Sequence, residues 1–168
     1  MNAPIVMLPN FLTTKPKPKK STTIQIQITA QMFSVNALTL KFKYLSAVLQ
    51  AVRVTDPAYP DLYFAKIVQS PKCTGTLHAG QVPFDATHSM LSIAYSGTDL
   101  FTLPANAVLA TIYFTYYGGK TDLVWQTENY IGSDGHMQSG CAYSVGLPPT
   151  DMNDIPKDQY YYDGIVTS

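Results

Sequence analysis

Thr22-Thr-Ile-Gln-Ile-Gln-Ile-Thr29 alternates without a break, with Ile24, Ile26 and Ile28 on one side and Gln25 and Gln27 on the other. A period of two is the signature of an extended strand with one face in a core. Ala37-Leu-Thr-Leu-Lys-Phe-Lys-Tyr44 repeats the pattern, with Leu38, Leu40, Phe42 and Tyr44 inward and Thr39, Lys41 and Lys43 outward. Two amphipathic strands in succession predict a sheet with one wet face.

Working outward, Val48 to Val54 continues as a strand with Val48, Val52 and Val54 in phase, and Asp56-Pro57-Ala58-Tyr59-Pro60 stops it. Proline has no backbone N–H to give to a ladder. Asp61 to Gln69 reads as the next strand, apolar throughout from Leu62 to Ala65, and Ser70 to His88 as a Gly- and Pro-bearing loop. Met90 to Ser96 alternates again, with Leu91, Ile93 and Tyr95 set against Met90, Ser92, Ala94 and Ser96. Val108 to Tyr116 presents Leu109 or Val108, Ile112 and Phe114, and Gly118-Gly119 turns the chain into Asp122 to Thr127. Trp125, in phase with Leu123, is expected in the core. Upstream, Lys15-Pro-Lys-Pro-Lys-Lys20 reads as a solvated loop between the first two strands, the other reading being a patch for an anionic polymer. Pro148 to Pro156 is rich in turn residues, and Tyr160 to Thr167 offers a last strand whose three successive tyrosines must split between its faces.

Composition supports the same class. Charged residues are 13% of the chain, where an average domain has about 25%. There is one Glu (Glu128) and one Arg (Arg53), against 12 Tyr, 7 Phe and 12 Pro. Long solvated helices need Glu, Lys and Arg, whereas Tyr, Thr, Val and Ile suit a pleated surface. Short strands divided by Pro and Gly turns predict an all-β, two-sheet sandwich of eight or nine strands, built as one domain over residues 1–168.

Net charge is zero, but residues 1–84 hold 9 Lys/Arg against 2 Asp, and residues 85–168 hold 2 Lys against 9 Asp/Glu. The two halves of a sandwich interleave in space, so no basic surface of the kind nucleic acid requires is expected. No apolar run reaches the ~18 residues of a membrane-spanning helix. Met1 to Leu12 lacks the basic start and continuous apolar core of a signal peptide, so a secreted protein would be represented here by a mature or excised segment.

Catalytic patterns are missing: the sequence has no Gly-x-Ser-x-Gly, no His-Glu-x-x-His and no Gly-rich phosphate loop. His136 and Cys141 are two donors where a structural zinc site uses four. Asp151-Met-Asn-Asp154 has Pro156 and Tyr162 at the positions where an EF-hand loop needs Gly and Glu. No catalytic residue, metal or cofactor is therefore assigned. Cys73 and Cys141 leave a disulfide open, since spacing alone does not give its geometry.

In order, Thr23-Ile-Gln-Ile-Gln-Ile-Thr29, Asn36-Ala-Leu-Thr-Leu-Lys-Phe-Lys-Tyr44, Leu91-Ser-Ile-Ala-Tyr95, Val108-Leu-Ala-Thr-Ile-Tyr-Phe114 and Tyr162-Asp-Gly-Ile-Val-Thr167 make a pattern similar to the cohesin domain of bacterial cellulosomes. The chain keeps Tyr44 and Val48-Leu49 but has Leu45-Ser46 where that family commonly has Asp-Pro. The resemblance implies a nine-stranded jelly roll, non-catalytic and extracellular. Its partner would be a dockerin, a small helical module that carries the calcium itself. It also implies a docking face on the third, fifth, sixth and eighth strands: Ala37, Thr39, Lys41 and Lys43; Ser92, Ala94 and Ser96; Val124 and Gln126; with Leu100 and Phe101 in a neighbouring loop. The fifth-strand contribution, Tyr63 or Phe64, stays undecided in phase. Small residues on such a face let a helix lie close, Leu100 or Phe101 would supply an apolar anchor, and Lys41 and Lys43 rim contacts. A carbohydrate-binding module that stacks sugars on exposed tyrosines is the alternative, and a structural spacer domain a third reading.

Overall fold

A computed structural model describes residues 5–13, 20–59, 64–147, 149–151 and 160–168. The chain opens with β1 (Ile5–Met7) and β2 (Asn10–Leu12), followed by the 24-residue β3 (Thr22–Leu45). Then come β4 (Leu49–Ala51), β5 (Arg53–Val54), β6 (Phe64–Ala65) and β7 (Ile67–Gln69). The centre of the chain holds β8 (Thr76–Pro83), β9 (His88–Ser96), β10 (Phe101–Tyr116) and β11 (Thr121–Trp125). The last part contains β12 (Tyr130–Ile131), β13 (Met137–Gln138), β14 (Ala142–Val145), β15 (Thr150–Asp151), β16 (Tyr161–Tyr162) and β17 (Gly164–Thr167). The fold is an all-β sandwich, as expected.

The two stretches read as separate strands are one continuous strand, β3, that serves both layers. Its first half pairs with β10 (Ile24↔Phe114, Ile26↔Ile112, Ile28↔Ala110) and, on its other side, with β1. β10 in turn carries β4 and β7. The second half pairs with β9 (Leu40↔Ile93, Phe42↔Leu91) on one side and with β14 and β11 on the other, and β8 edges β9. The change of layer falls at Ser34, whose φ of 50° is a left-handed conformation unusual for a residue with a Cβ. Thr102 Oγ1 accepts the Ser34 amide at 2.9 Å, and β10 bends beside it through register shifts and Asn106 at φ 61°.

Inward alternation holds in both halves: Ile24, Ile26 and Ile28, and Leu38, Leu40, Phe42 and Tyr44, are all buried. The layers meet through rings. Phe114 of the first layer lies 6.3 Å from Phe42 and 5.1 Å from Tyr44 of the second, and Trp125 meets Phe42 edge-on at 5.7 Å. Trp125 is thus core, as its phase with Leu123 predicts. The Tyr44 hydroxyl escapes the cost of burial by donating to Gln81 Oε1 at 2.5 Å. The same oxygen accepts the Ala51 amide, tying β8 to β4. β16 runs parallel to β1 and β17 parallel to β2, so the two ends of the chain close the sandwich together.

Several expectations are corrected. Ser70 to His88 is not one loop, because β8 occupies its middle with Leu77 and Ala79 buried. In the Val48 to Val54 stretch Val48 is buried as expected, but the inward residues that follow are Leu49 and Ala51, while Val54 is exposed; the turn at 46–48 resets the phase. β10 begins at Phe101, seven residues before the expected start. The turn at Gly118-Gly119 is present, with φ of 99° and 87° that only glycine adopts freely. The three terminal tyrosines split, Tyr161 buried and Tyr162 exposed. Lys15 to Lys19, Tyr63, and the region from Met152 to Pro156 lie outside the described residues.

Candidate docking face

Because β3, β8, β9 and β14 are all in register, their outward side chains form rows across the second layer. One row runs His78–Ala94–Thr39–Ala142, the next pairs Gly80 with Ser92 and Lys41, and a third aligns Val82, Met90, Lys43 and Val124. Ser144 stands opposite Ala37 at the near end and Ser96 opposite Thr76. The strands therefore bring Ala37, Thr39, Lys41, Lys43, Ser92, Ala94, Ser96 and Val124 onto one sheet surface. His78, Gly80, Val82, Ala142 and Ser144 join them, although sequence reasoning missed all five. The one signal for β8 was the alternation of Leu77 and Ala79, interrupted by Gly75, Gly80 and Pro83.

Exposure divides this surface in two. Ala37, Ala94 and Ser96 are open and Thr39, Ser92, Ala142 and Ser144 half-buried. Small side chains here leave a flat, approachable strip, with a shallow hollow of about 300 Å³ beside Ala37, Thr39, Ala142 and Ser144. The remainder is covered by residues 126–141, which fold back as a flap built on the β12–β13 hairpin (Tyr130↔Gln138, Ile131↔Met137). Gly140 closes the flap base: a Cβ there would come within 2.5 Å of the Gln126 carbonyl and 2.6 Å of the Glu128 carbonyl. Both are backbone atoms and could not yield cheaply.

Three expected contact residues are therefore not on an open surface. Lys41 is 9% exposed, held beneath the flap with Nζ donating to Ser139 O at 2.8 Å and to Tyr130 Oη at 3.1 Å. Gln126, 8% exposed, donates through Nε2 to Glu128 O at 2.7 Å and stiffens the flap's entry. Phe101 is 3% exposed and packs on Tyr95 at 4.9 Å; it is core at the start of β10, not a loop anchor. Lys43 remains half-buried, its ammonium 4.7 Å above the Phe84 ring, and Phe84 in turn meets Tyr130 at 5.6 Å. Leu100 is half-buried just before β10. The outer side of the flap carries the apolar pair Ile131 and Met137, 58% and 64% exposed.

Titratable groups elsewhere have local explanations. Asp85 Oδ1 accepts from the amides of Thr87 and His88 and from the His88 ring, which hold its carboxyl down at about 2. Cys73 and Cys141 are both free and buried. Burial pushes the Cys73 thiol up to about 11, so at neutral pH it stays a protonated, weak nucleophile. Burial likewise raises Tyr143 and Tyr161, whose rings stack at 6.2 Å. The exposed tyrosines Tyr59, Tyr117 and Tyr162 come from three separate segments. Among the described residues no group of three or more His, Cys, Asp or Glu is placed to hold a metal. Among them, too, no helix is long and apolar enough to cross a membrane.

No protein-family model matches the sequence, and no curated protein matches it. Solved structures do match. The sixth cohesin of Acetivibrio cellulolyticus scaffoldin B, solved with a mutant dockerin, aligns over 98% of this chain and 97% of its own at a TM-score of 0.57 and 8% identity. A non-cellulosomal cohesin from the archaeon Archaeoglobus fulgidus aligns over 97% and 88%, at 0.55 and 9%. A type III cohesin from a cell-surface anchoring scaffoldin of Ruminococcus flavefaciens aligns over 99% and 87%, at 0.54 and 10%. With almost no shared sequence but nearly complete coverage in both directions, the fold of this chain resembles that of a cohesin module.

Proposed function

We propose that this chain is a non-catalytic, extracellular docking module that binds a dockerin, or a helical module of the same kind, through the outer face of β8, β9, β3 and β14. The observation that carries the reading is the open strip Ala37, Thr39, Ala94, Ser96, Ala142 and Ser144, on an all-β scaffold of cohesin shape. Small side chains on a rigid sheet let a helix backbone approach, with Ala37, Ala94 and Ala142 carrying no polar group and Thr39, Ser96 and Ser144 offering hydroxyls for hydrogen bonds to a partner. The flap, with Ile131 and Met137 on its outer side, borders that strip and supplies the apolar surface that Phe101, being buried, does not. Calcium belongs to the partner in this reading.

The test is a pull-down of a panel of dockerin modules by the purified chain, with and without EDTA, beside insoluble cellulose and xylan. Capture of at least one dockerin that EDTA abolishes is the expected result. Retention on polysaccharide with no dockerin captured would replace the docking reading with carbohydrate binding.

A further inference from the structure

Lys41 sits at the floor of a cavity of about 310 Å³ walled by Val82, Met90, Ser92, Tyr130 and Gln138, with Asp134 on its rim. A buried ammonium is costly unless a carboxylate offsets it, and a methionine of similar shape would avoid the cost altogether. Lys41 has no carboxylate within ion-pair distance among the described residues. Its ammonium instead uses two N–H groups on Ser139 O and Tyr130 Oη and lies 5.1 Å from the centre of the Tyr130 ring. These contacts fix the side chain in one place and use two of the ammonium's three N–H groups. Asp134 lines the same cavity but makes no ion pair with Lys41, and its Oδ1 accepts the His136 amide at 3.0 Å in an exposed turn.

We infer that this cavity is a socket for a carboxylate, the side chain of an Asp or Glu from the docked partner, which completes the coordination of Lys41 while Ser92 and Gln138 offer further donors from the walls. The inference rests on the docking reading for the identity of the partner, but the socket's chemistry stands apart from it. A pre-positioned charge at the floor of a cavity beside a flat strip gives the strip what it lacks, a point that fixes register. The rim carboxylate of Asp134 then works against binding, so its removal and the removal of Lys41 have opposite signs.

Two arms separate the possibilities. In the first, the isotopically labelled chain is titrated with N-acetylglutamate amide against a sodium chloride control, following the amides of Lys41, Ser92 and Gln138 by NMR. Saturable shifts confined to these residues are expected, lost in Lys41→Met and tightened roughly twofold in Asp134→Asn. No saturable shift in the native chain, or the same shift in a folded Lys41→Met variant, overturns the socket. In the second arm, a dockerin captured as above is expected to bind Lys41→Met about tenfold or more weakly, with a shallower salt dependence. Equal affinity and equal salt dependence would overturn its use by the partner. Positive shifts in the first arm with no dockerin captured would keep the socket and discard the docking reading.

Discussion

The two halves of β3 carry the same alternation and bury the same kind of inward residue, yet their outer faces have different fates. In the first half Gln25 and Gln27 are simply solvated. In the second, Thr39 lies on an open strip while Lys41, two residues further on, is largely covered by a flap whose contacts come from 89 and 98 residues away. Local pattern thus determines which side of a strand faces the core. What covers the other side is decided by distant segments.

The largest effects should come from the inward residues, and they should be equal in kind across the two halves. Ile26→Ala and Phe42→Ala are each expected to cost about 2–5 kcal/mol in denaturant unfolding, with Phe42 at the upper end because three rings pack on it. Gln25→Ala should stay within about 0.5 kcal/mol. Phe101→Ala belongs with the core group at about 3 kcal/mol, and a stable variant that loses only binding would return Phe101 to the docking surface.

A smaller effect probes the flap. Gly140→Ala forces a Cβ against two backbone carbonyls and should cost about 1–3 kcal/mol. Hydrogen exchange should show faster amides over 126–141 and unchanged protection in the first half of β3. Uniform loss of protection would mean that flap and sandwich unfold as one unit.

The smallest effect is electrostatic. Asp85 has its folded pKa depressed from 3.8 to about 2, so its contribution to stability is present above about pH 4 and fades as pH falls toward 2. The group is exposed on the β8–β9 hairpin, so the slope should be shallow, and Asp85→Asn should remove it while keeping the turn. An Asp85 carboxyl titrating near its ordinary value by NMR would contradict the turn geometry.

The contrast within β3 also explains how far the sequence could be read. Ile24 to Ile28, Leu38 to Tyr44, Leu91 with Ile93, and Trp125 were legible because each is one phase of a regular strand whose burial depends on its own neighbours. β8 was not, since Gly75, Gly80 and Pro83 give it the look of a loop and only Leu77 and Ala79 mark its inner side. Phe101 was placed in a loop because the strand was read only from Val108, whereas β10 runs from Phe101 through Pro104 and Asn106 with register shifts along the way. On the site, the outward facing of Thr39, Ser92 and Ala94 followed from alternation, whereas their grouping as a docking face is implied only by the resemblance. The burial of Lys41 and Gln126 did not, because the flap that covers them has no periodicity of its own: its two strands have two residues each.

The central claim, that the open strip of the second layer is a docking surface, is tested most directly by isothermal titration of a captured dockerin into the native chain and into Ala94→Arg. Ala94 is exposed and flanked by Thr39 and His78, so an arginine there should leave the melting temperature unchanged and abolish measurable binding. Native affinity in the folded Ala94→Arg variant would contradict the account and move the partner to another surface.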